Sequence, residues 1–107
     1  MPKDTLLGAL DLLVLQTLAR GTQHGYGITC HILAASGHQL RVEEGSLYPA
    51  LRRMESAGLI KAEWRRSENN RRARYYQLTK KGAKRLAQEM QTWEAHTAAV
   101  KTFLEFA

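Results

Sequence analysis

The chain has 107 residues, 44% of them hydrophobic and 24% charged. This composition excludes a disordered protein, and the length allows one small domain. The formal net charge is +6, but residues 41–85 hold 13 Lys and Arg against 5 Asp and Glu, whereas the remaining residues hold 3 against 5. The basic segment predicts a surface for a polyanion, although composition alone fits a merely basic soluble protein equally well.

Cys30 is the single cysteine, which excludes an intrachain disulfide and favours a reducing compartment. The apolar stretch LLGALDLLVLQTLA, residues 6–19, is interrupted by Asp11 and Gln16 and is too short to span a membrane. No cleavage-site pattern follows it. We therefore expect a cytoplasmic protein without a membrane partner.

Two helices are predicted first. Apolar residues crowd nearly every turn between Thr5 and about Arg20, and Gly21 is a suitable stop, so the first helix should be largely buried. The stretch HGYGITCHILAASG, residues 24–37, has mostly helical spacing and predicts a short second helix. In the connector after it, Leu40 and Val42 alternate with polar residues and could form one short strand.

A third helix should start between Glu44 and Ser46 and stop at Gly58. Pro49 has no amide proton and fits best in the first turn of that helix. The apolar face consists of Leu47, Ala50, Leu51 and Met54. The opposite face carries Gly45, Pro49, Arg52, Arg53 and Ser56, with Tyr48 on its flank. This polar face is free to contact something other than the core.

The pattern then changes to that of a β-hairpin. Two alternating runs, one with Trp64 and one with Tyr75 and Tyr76, flank the polar stretch SENN of residues 67–70. Five arginines surround the tip, namely Arg65, Arg66, Arg71, Arg72 and Arg74. Because Glu68 is the only acid at the tip, the hairpin is far more cationic than an exposed turn requires.

The helical period returns at Thr79, a suitable N-cap. A stripe at alternating spacings of four and three residues consists of Leu86, Met90, Trp93, Thr97, Val100 and Leu104. A helix over residues 79–107 would be roughly 40 Å long, more than a small domain needs to cover its own core. The stripe therefore predicts a partner.

These elements together predict the fold class: mainly α with a small β-hairpin, in a winged helix-turn-helix followed by a long C-terminal helix. In such a fold the third helix enters the major groove of double-stranded DNA, where its exposed side chains contact base edges. The arginine-rich hairpin reaches neighbouring phosphates or the minor groove.

Three segments resemble motifs of the PadR-like family of transcriptional regulators, in order and spacing as well as content. They are HGYGI at 24–28, GSLYPALRRMESAGLI at 45–60 and RARYYQLTKKG at 72–82, and with their intervals they cover nearly the whole chain. The resemblance implies a homodimeric repressor of the short-chain branch, in which a single terminal helix pairs the subunits. It assigns residues 1–78 to a winged helix-turn-helix DNA-binding domain and residues 79–107 to a C-terminal dimerisation helix.

Carried over residue by residue, the family motif marks Ser46, Tyr48 and Pro49 at the start of the third helix and Arg52 and Arg53 as basic positions. The arginines of the hairpin complete the set. The predicted DNA-binding residues are Ser46, Tyr48, Pro49, Arg52, Arg53, Arg65, Arg66, Arg71, Arg72 and Arg74. The predicted dimerisation residues are Leu86, Met90, Trp93, Thr97, Val100 and Leu104. The chain departs from the pattern at Glu43 and Glu44, where family members usually carry a small polar residue and proline. These acids would repel phosphate if they pointed at the DNA backbone.

Two expectations concern partners. A two-fold symmetric dimer predicts an inverted-repeat operator. The family also implies regulation by a small, often aromatic effector, and Trp93 at the centre of the stripe could border such a site between the subunits. The plainer interpretation is that Trp93 is a large packing residue in the dimer core.

The main alternative is a winged helix that docks on other proteins and no longer binds DNA, although the positive face and hairpin argue against it. No metal-binding spacing is formed by His24, Cys30, His31 and His38, so we expect no metal and no cofactor. No catalytic motif is recognised, and we expect no enzyme. A stacking platform for single-stranded nucleic acid, formed by Trp64 with Tyr75 and Tyr76, is disfavoured, because aromatic residues in a hairpin more often pack over the core.

Overall fold

The computed structural model describes residues 8–106. Its elements, in chain order, are α1 (Leu10–Ala19), β1 (Gln23–His24), α2 (Gly25–Ala35), α3 (Glu44–Ser56), β2 (Ile60–Arg66), β3 (Arg72–Leu78) and α4 (Lys80–Phe106). The fold is mainly helical with a small antiparallel sheet and a long C-terminal helix, which confirms the predicted fold class.

The first helix starts later than predicted. Its expected first residue, Thr5, lies outside the described residues. Within them, Gly8 has a φ of +80°, and Ala9 is the N-cap of α1. A residue in the left-handed region cannot continue a right-handed helix, so α1 begins at Leu10.

The hairpin forms as predicted and is joined by a strand that the sequence did not indicate. β2 and β3 pair in antiparallel register from Ile60 opposite Leu78 to Arg66 opposite Arg72. β1, only two residues long, pairs with the other edge of β3, which gives the strand order β1-β3-β2. A two-residue strand is too short to show alternation. The possible strand around Leu40 does not form in the described chain.

The core lies where α1, α2 and α3 meet the inner face of the hairpin. Its fully buried side chains are Val14, Leu15, Ile28, Leu47, Leu51, Met54, Leu59 and Ile60. Val42, in the connector before α3, is 7% exposed and packs into this cluster instead of pairing in the sheet. α3 thereby has one face fixed on the core and the opposite face open to solvent.

The long helix α4 packs on this core through its first turns. Thr79 caps it as predicted, since the Thr79 Oγ1 accepts a hydrogen bond from the Gly82 amide at 3.0 Å. Leu86 is 8% exposed and belongs to the core cluster. Beyond it the helix is mostly exposed, and the described chain measures 55 Å along its longest axis against 28 and 26 Å across. The division into residues 1–78 and 79–107 stays a prediction.

Candidate nucleic-acid interface

The exposed face of α3 is built as the sequence predicted. The apolar residues Leu47, Ala50, Leu51 and Met54 are buried, and Gly45, Pro49, Arg52 and Ser56 are exposed. Because α3 starts at Glu44, Pro49 lies in the second turn and not in the first. Arg52 projects from the middle of this face and has no salt bridge among the described residues. It is therefore free to contact a ligand of opposite charge.

Tyr48 lies on one flank of α3 and leans on the start of α2. A Cβ atom at Gly25 would lie 2.7 Å from the Tyr48 hydroxyl oxygen and 3.0 Å from the Cε1 and Cζ atoms of its ring. The phenol therefore packs directly on the backbone at Gly25 and remains 38% exposed. Ser46, predicted beside it as a DNA contact, is half-buried.

The two side chains of β1, Gln23 and His24, organise the start of α2. The His24 Nδ1 accepts a hydrogen bond from the Gly27 amide at 3.0 Å and so caps the helix. The Gln23 Oε1 accepts one from the His24 amide at 3.0 Å, and the Gln23 side chain covers the position that a Cβ at Gly27 would need. The motif HGYG thus places the capped start of α2 beside Tyr48. Because Gly25 has no side chain, the Tyr48 ring can approach the backbone there.

The other flank of α3 is tied to α1. Arg53 donates to both carboxylate oxygens of Asp11, with Nη1 2.7 Å from Oδ2 and Nη2 2.8 Å from Oδ1. This bidentate contact raises the pKa of Arg53 above its usual value. Side-chain exposure is 59% for Arg53 and 24% for Asp11. The predicted DNA contact of Arg53 would therefore be made from a side chain that already has a carboxylate partner.

We use the term wing for β2, β3 and their turn, residues 60–78. The five predicted arginines of the wing differ in their partners. Arg65 is paired with Glu63 and lies over the Tyr75 ring, 5.4 Å from its centre. Arg66 donates to the Asn70 Oδ1 at 2.8 Å.

Arg71 and Arg72 are exposed at the end of the wing and have no carboxylate partner among the described residues. Arg74 donates to Glu55 of α3 at 2.8 Å. The Trp64 ring lies beside both Arg72 and Arg74 and is 53% exposed. The expectation that hairpin aromatics pack over the core is met by Tyr76, which is 6% exposed, but is wrong for Trp64.

An open groove of 720 Å³ separates the start of α2, the Tyr48 flank of α3 and the inner face of the wing. The charged residues that line it are Glu68, Arg71, Arg72 and Arg74. Its aromatic lining consists of Tyr26, Tyr48, Trp64 and Tyr76. Arg74 is already paired with Glu55, but Arg71 and Arg72 against Glu68 still give the groove a net positive charge. This is the electrostatic pattern expected of a surface that holds phosphates.

The predicted dimerisation stripe on α4 is mostly exposed. Met90 is 42% exposed, Val100 44% and Leu104 67%, whereas Leu86 is buried in the core described above. Trp93 is half-buried and, with Thr97 and Val100, lines an open groove of 600 Å³ along the helix. Sequence reasoning missed Phe103 and Phe106, which are 70% and 84% exposed near the same end of α4.

Residues 8–106 carry neither a metal-binding cluster nor a membrane-spanning helix. No group of three or more His, Cys, Asp or Glu side chains is placed to hold a metal ion there. No helix in that range is both long and apolar enough to cross a membrane.

Comparisons with known proteins agree on one family. Residues 14–88 match the model of the PadR-like family of transcriptional regulators. A transcriptional regulator from Clostridium thermocellum superposes with a TM-score of 0.84 at 29% identity, over 96% of this chain and 97% of that one. For a PadR family transcription regulator from Clostridium difficile the TM-score is 0.76 at 31% identity, over 91% of this chain and 99% of that one. A transcriptional regulator from Mycobacterium tuberculosis is 34% identical over 86 residues, 80% of this chain and 77% of that protein.

Proposed function

The chain belongs to the PadR-like family of transcriptional regulators, and from this premise we propose that it is a homodimeric repressor. It binds an inverted-repeat operator in the cytoplasm and is released by a small aromatic effector. The family is one of regulators and not of enzymes. Three parts of this proposal, namely DNA binding, dimerisation and release, rest on different surfaces.

DNA binding rests on one observation above all: the Tyr48 flank of α3 and the cationic end of the wing border the same open groove. α3 would enter the major groove and present Arg52 and Tyr48 to base edges, while Arg71 and Arg72 hold phosphates. The proposed contact set is Ser46, Tyr48, Pro49, Arg52, Arg53, Arg65, Arg66, Arg71 and Arg72. Arg74, which the sequence also predicted as a contact, is already paired with Glu55. Glu44 and Glu43, at the start of α3, would limit how closely the helix end approaches the phosphate backbone.

Dimerisation rests on the unpartnered stripe of α4. Met90, Val100 and Leu104 leave large apolar areas in water, and Phe103 and Phe106 add to them. Burying these areas against the same helix of a second copy would be favourable at about 25 cal/mol per Å² of apolar surface. Because the stripe repeats at spacings of four and three, two such helices can pack with their side chains interlocked.

Duplex binding can be tested by selecting random DNA fragments with the purified protein, sequencing those retained, and measuring their affinity as salt is raised. We expect a dyad-symmetric footprint with half-site centres about 34 Å apart. Affinity should fall steeply with salt, because a dimer with roughly 6–10 phosphate contacts releases a similar number of counterions. An affinity that does not change with salt concentration, or a footprint without dyad symmetry, would contradict the proposal. Absence of duplex binding at low salt would favour the protein-docking alternative.

The dimer has its own test. Sedimentation should give the mass of two chains for the wild-type protein and of one chain for a Val100→Asp, Leu104→Asp variant, since two buried carboxylates in the seam are costly. Gln91→Asp, at an exposed position off the stripe, is the matched control and should stay dimeric. A wild-type protein that is monomeric at micromolar concentration would refute this part of the proposal.

A further inference from the structure

One ion pair joins the wing to the recognition helix α3. Arg74 of β3 donates from Nη2 to the Glu55 Oε2 at 2.8 Å, with side-chain exposures of 36% and 34%. Glu55 lies two turns after Tyr48 on the same side of α3. Among the described residues no other salt bridge runs between α3 and the wing, because the remaining two join Arg53 to Asp11 and Arg65 to Glu63.

The contact continues into the wing through Trp64. Trp64 is the cross-strand partner of Arg74, so both side chains emerge on the same face of the sheet. The Arg74 Cζ lies 5.7 Å from the centre of the indole ring, and the Arg72 Cζ lies 4.9 Å from it. Glu55, Arg74, Trp64 and Arg72 therefore form a continuous series of contacts, which we call the wing brace.

The two arginines of the wing brace differ in whether they are available to bind a phosphate. Arg74 is held at one end by a carboxylate, so a phosphate could take it only by displacing Glu55. Arg72 has an aromatic neighbour and no carboxylate partner in the described residues, so its charge remains available. An aromatic face attracts a guanidinium without neutralising it.

We propose that Arg74 is a positioning residue and not a DNA contact, and that the wing brace fixes the distance between α3 and Arg72. The proposal rests on the DNA binding proposed above, and it revises the role predicted for Arg74 from the sequence. A hairpin joined to the core only at its base would be ordered on DNA at an entropic cost. The wing brace supplies that order beforehand, so Arg72 meets a phosphate when α3 lies in the major groove.

Glu55→Gln separates the two roles by the sign of its effect. If Arg74 positions the wing, loss of the carboxylate loosens the wing and weakens operator binding, by about threefold to tenfold. If Arg74 contacts DNA, the same change frees a cation, so binding should become tighter and its salt dependence steeper. Glu44→Gln removes another exposed acid from α3, one without a salt bridge in the described chain, and measures the general effect of losing a negative charge there. Binding by Glu55→Gln that equals or exceeds wild-type binding would overturn the proposal.

Arg74→Gln supplies a second measurement. A positioning residue can be lost without changing the slope of log affinity against log salt, whereas loss of one phosphate contact per subunit lowers that slope by about 2 for a dimer. Arg72→Gln is the matched control and should lower the slope. The double variant Glu55→Gln, Arg74→Gln should bind no more weakly than Arg74→Gln alone. A lowered slope for Arg74→Gln would assign it to the DNA contacts.

A measurement without DNA keeps this proposal separate from the proposed function. In a Trp93→Phe background the emission comes from Trp64 alone, since the chain has two tryptophans. Acrylamide should quench Trp64 more strongly in Glu55→Gln than in Glu44→Gln, because the brace no longer holds the ring. Equal quenching would overturn the brace whatever the DNA result, and a wild-type protein that shows the brace but binds no duplex would refute the proposed function alone.

Discussion

The phenol ring of Tyr48 occupies the space that a side chain at position 25 would fill. A Cβ at Gly25 would stand 2.7 Å from the Tyr48 hydroxyl oxygen, well inside van der Waals contact. The space occupied by Tyr48 therefore requires a glycine at position 25 of the HGYG motif, although the two residues are 23 positions apart in the chain. This contact sets the direction in which Tyr48 leaves the recognition helix.

We predict that Gly25→Ala weakens operator binding without unfolding the protein. The new methyl group must displace the Tyr48 ring, while alanine is the better helix former by up to about 1 kcal/mol. Anisotropy with operator DNA should therefore show a loss of affinity while the thermal midpoint holds or rises. The control for the thermal midpoint is Gly45→Ala in α3, where a Cβ meets nothing within 4 Å. A clear fall in the thermal midpoint of Gly25→Ala would mean that Tyr48 is needed for stability and not for DNA.

We predict that Arg52→Ala and Arg71→Ala change DNA binding in different ways. Arg52 projects from α3, so its loss should cost about 1–3 kcal/mol on the operator and little on random duplex. Arg71 lies at the end of the wing, so its loss should weaken both duplexes alike and lower the salt slope by about 0.9 per subunit. Competition binding with both duplexes at several salt concentrations measures the two effects. If Arg71→Ala changed sequence preference and Arg52→Ala did not, the two roles would be reversed.

A third prediction concerns Arg53 and its partner Asp11. Arg53→Ala should weaken the operator complex if its guanidinium reaches DNA, and should cost about 0.5 kcal/mol of stability, the range of an exposed ion pair. Asp11→Asn should share the small stability loss but should not weaken binding, since it leaves the guanidinium free. Chemical denaturation and operator anisotropy of both variants are the measurements. Equal losses of affinity would show that Arg53 acts by holding α3 against α1.

The parts of this molecule that sequence predicts are those governed by local periodicity. The buried face of α3 follows from Leu47, Leu51 and Met54 at helical spacing, and the wing follows from alternation on both sides of a polar turn. The cap at Thr79 follows from residue type and position. Each of these features depends on residues a few positions apart, so the pattern is visible before the chain is folded.

The features that were missed depend on residues far apart in the chain. Asp11 and Arg53 are 42 positions apart, and Glu55 and Arg74 are 19 apart. Nothing in the spacing of either pair distinguishes a partner from any other acid, because the packing of helices and strands decides which charges meet. A list of exposed arginines could therefore be predicted, but not which of them already have a carboxylate.

The last prediction concerns Trp93, which we expect to border an effector site between two copies of α4. Its ring is half-buried in the single chain and lines a groove with Thr97, Val100 and Leu104. Neighbouring Ala98 and Ala99 are small, which would leave room beside the indole when two helices meet. A flat, apolar wall suits a planar aromatic ligand. Such a ligand releases DNA only if it binds the free dimer more tightly than the DNA-bound dimer.

The measurement uses Trp93 emission in a Trp64→Phe background. A panel of planar aromatic compounds should include some that quench this emission and weaken operator binding over the same concentration range. Trp93→Ala should abolish the effect of these compounds on operator binding, while Trp93→Phe, which keeps an aromatic wall, should retain it. Quenching with unchanged DNA affinity would leave a pocket but remove its regulatory role. Loss of dimerisation in Trp93→Ala, without any ligand response in the Trp64→Phe protein, would show that Trp93 only packs the dimer core.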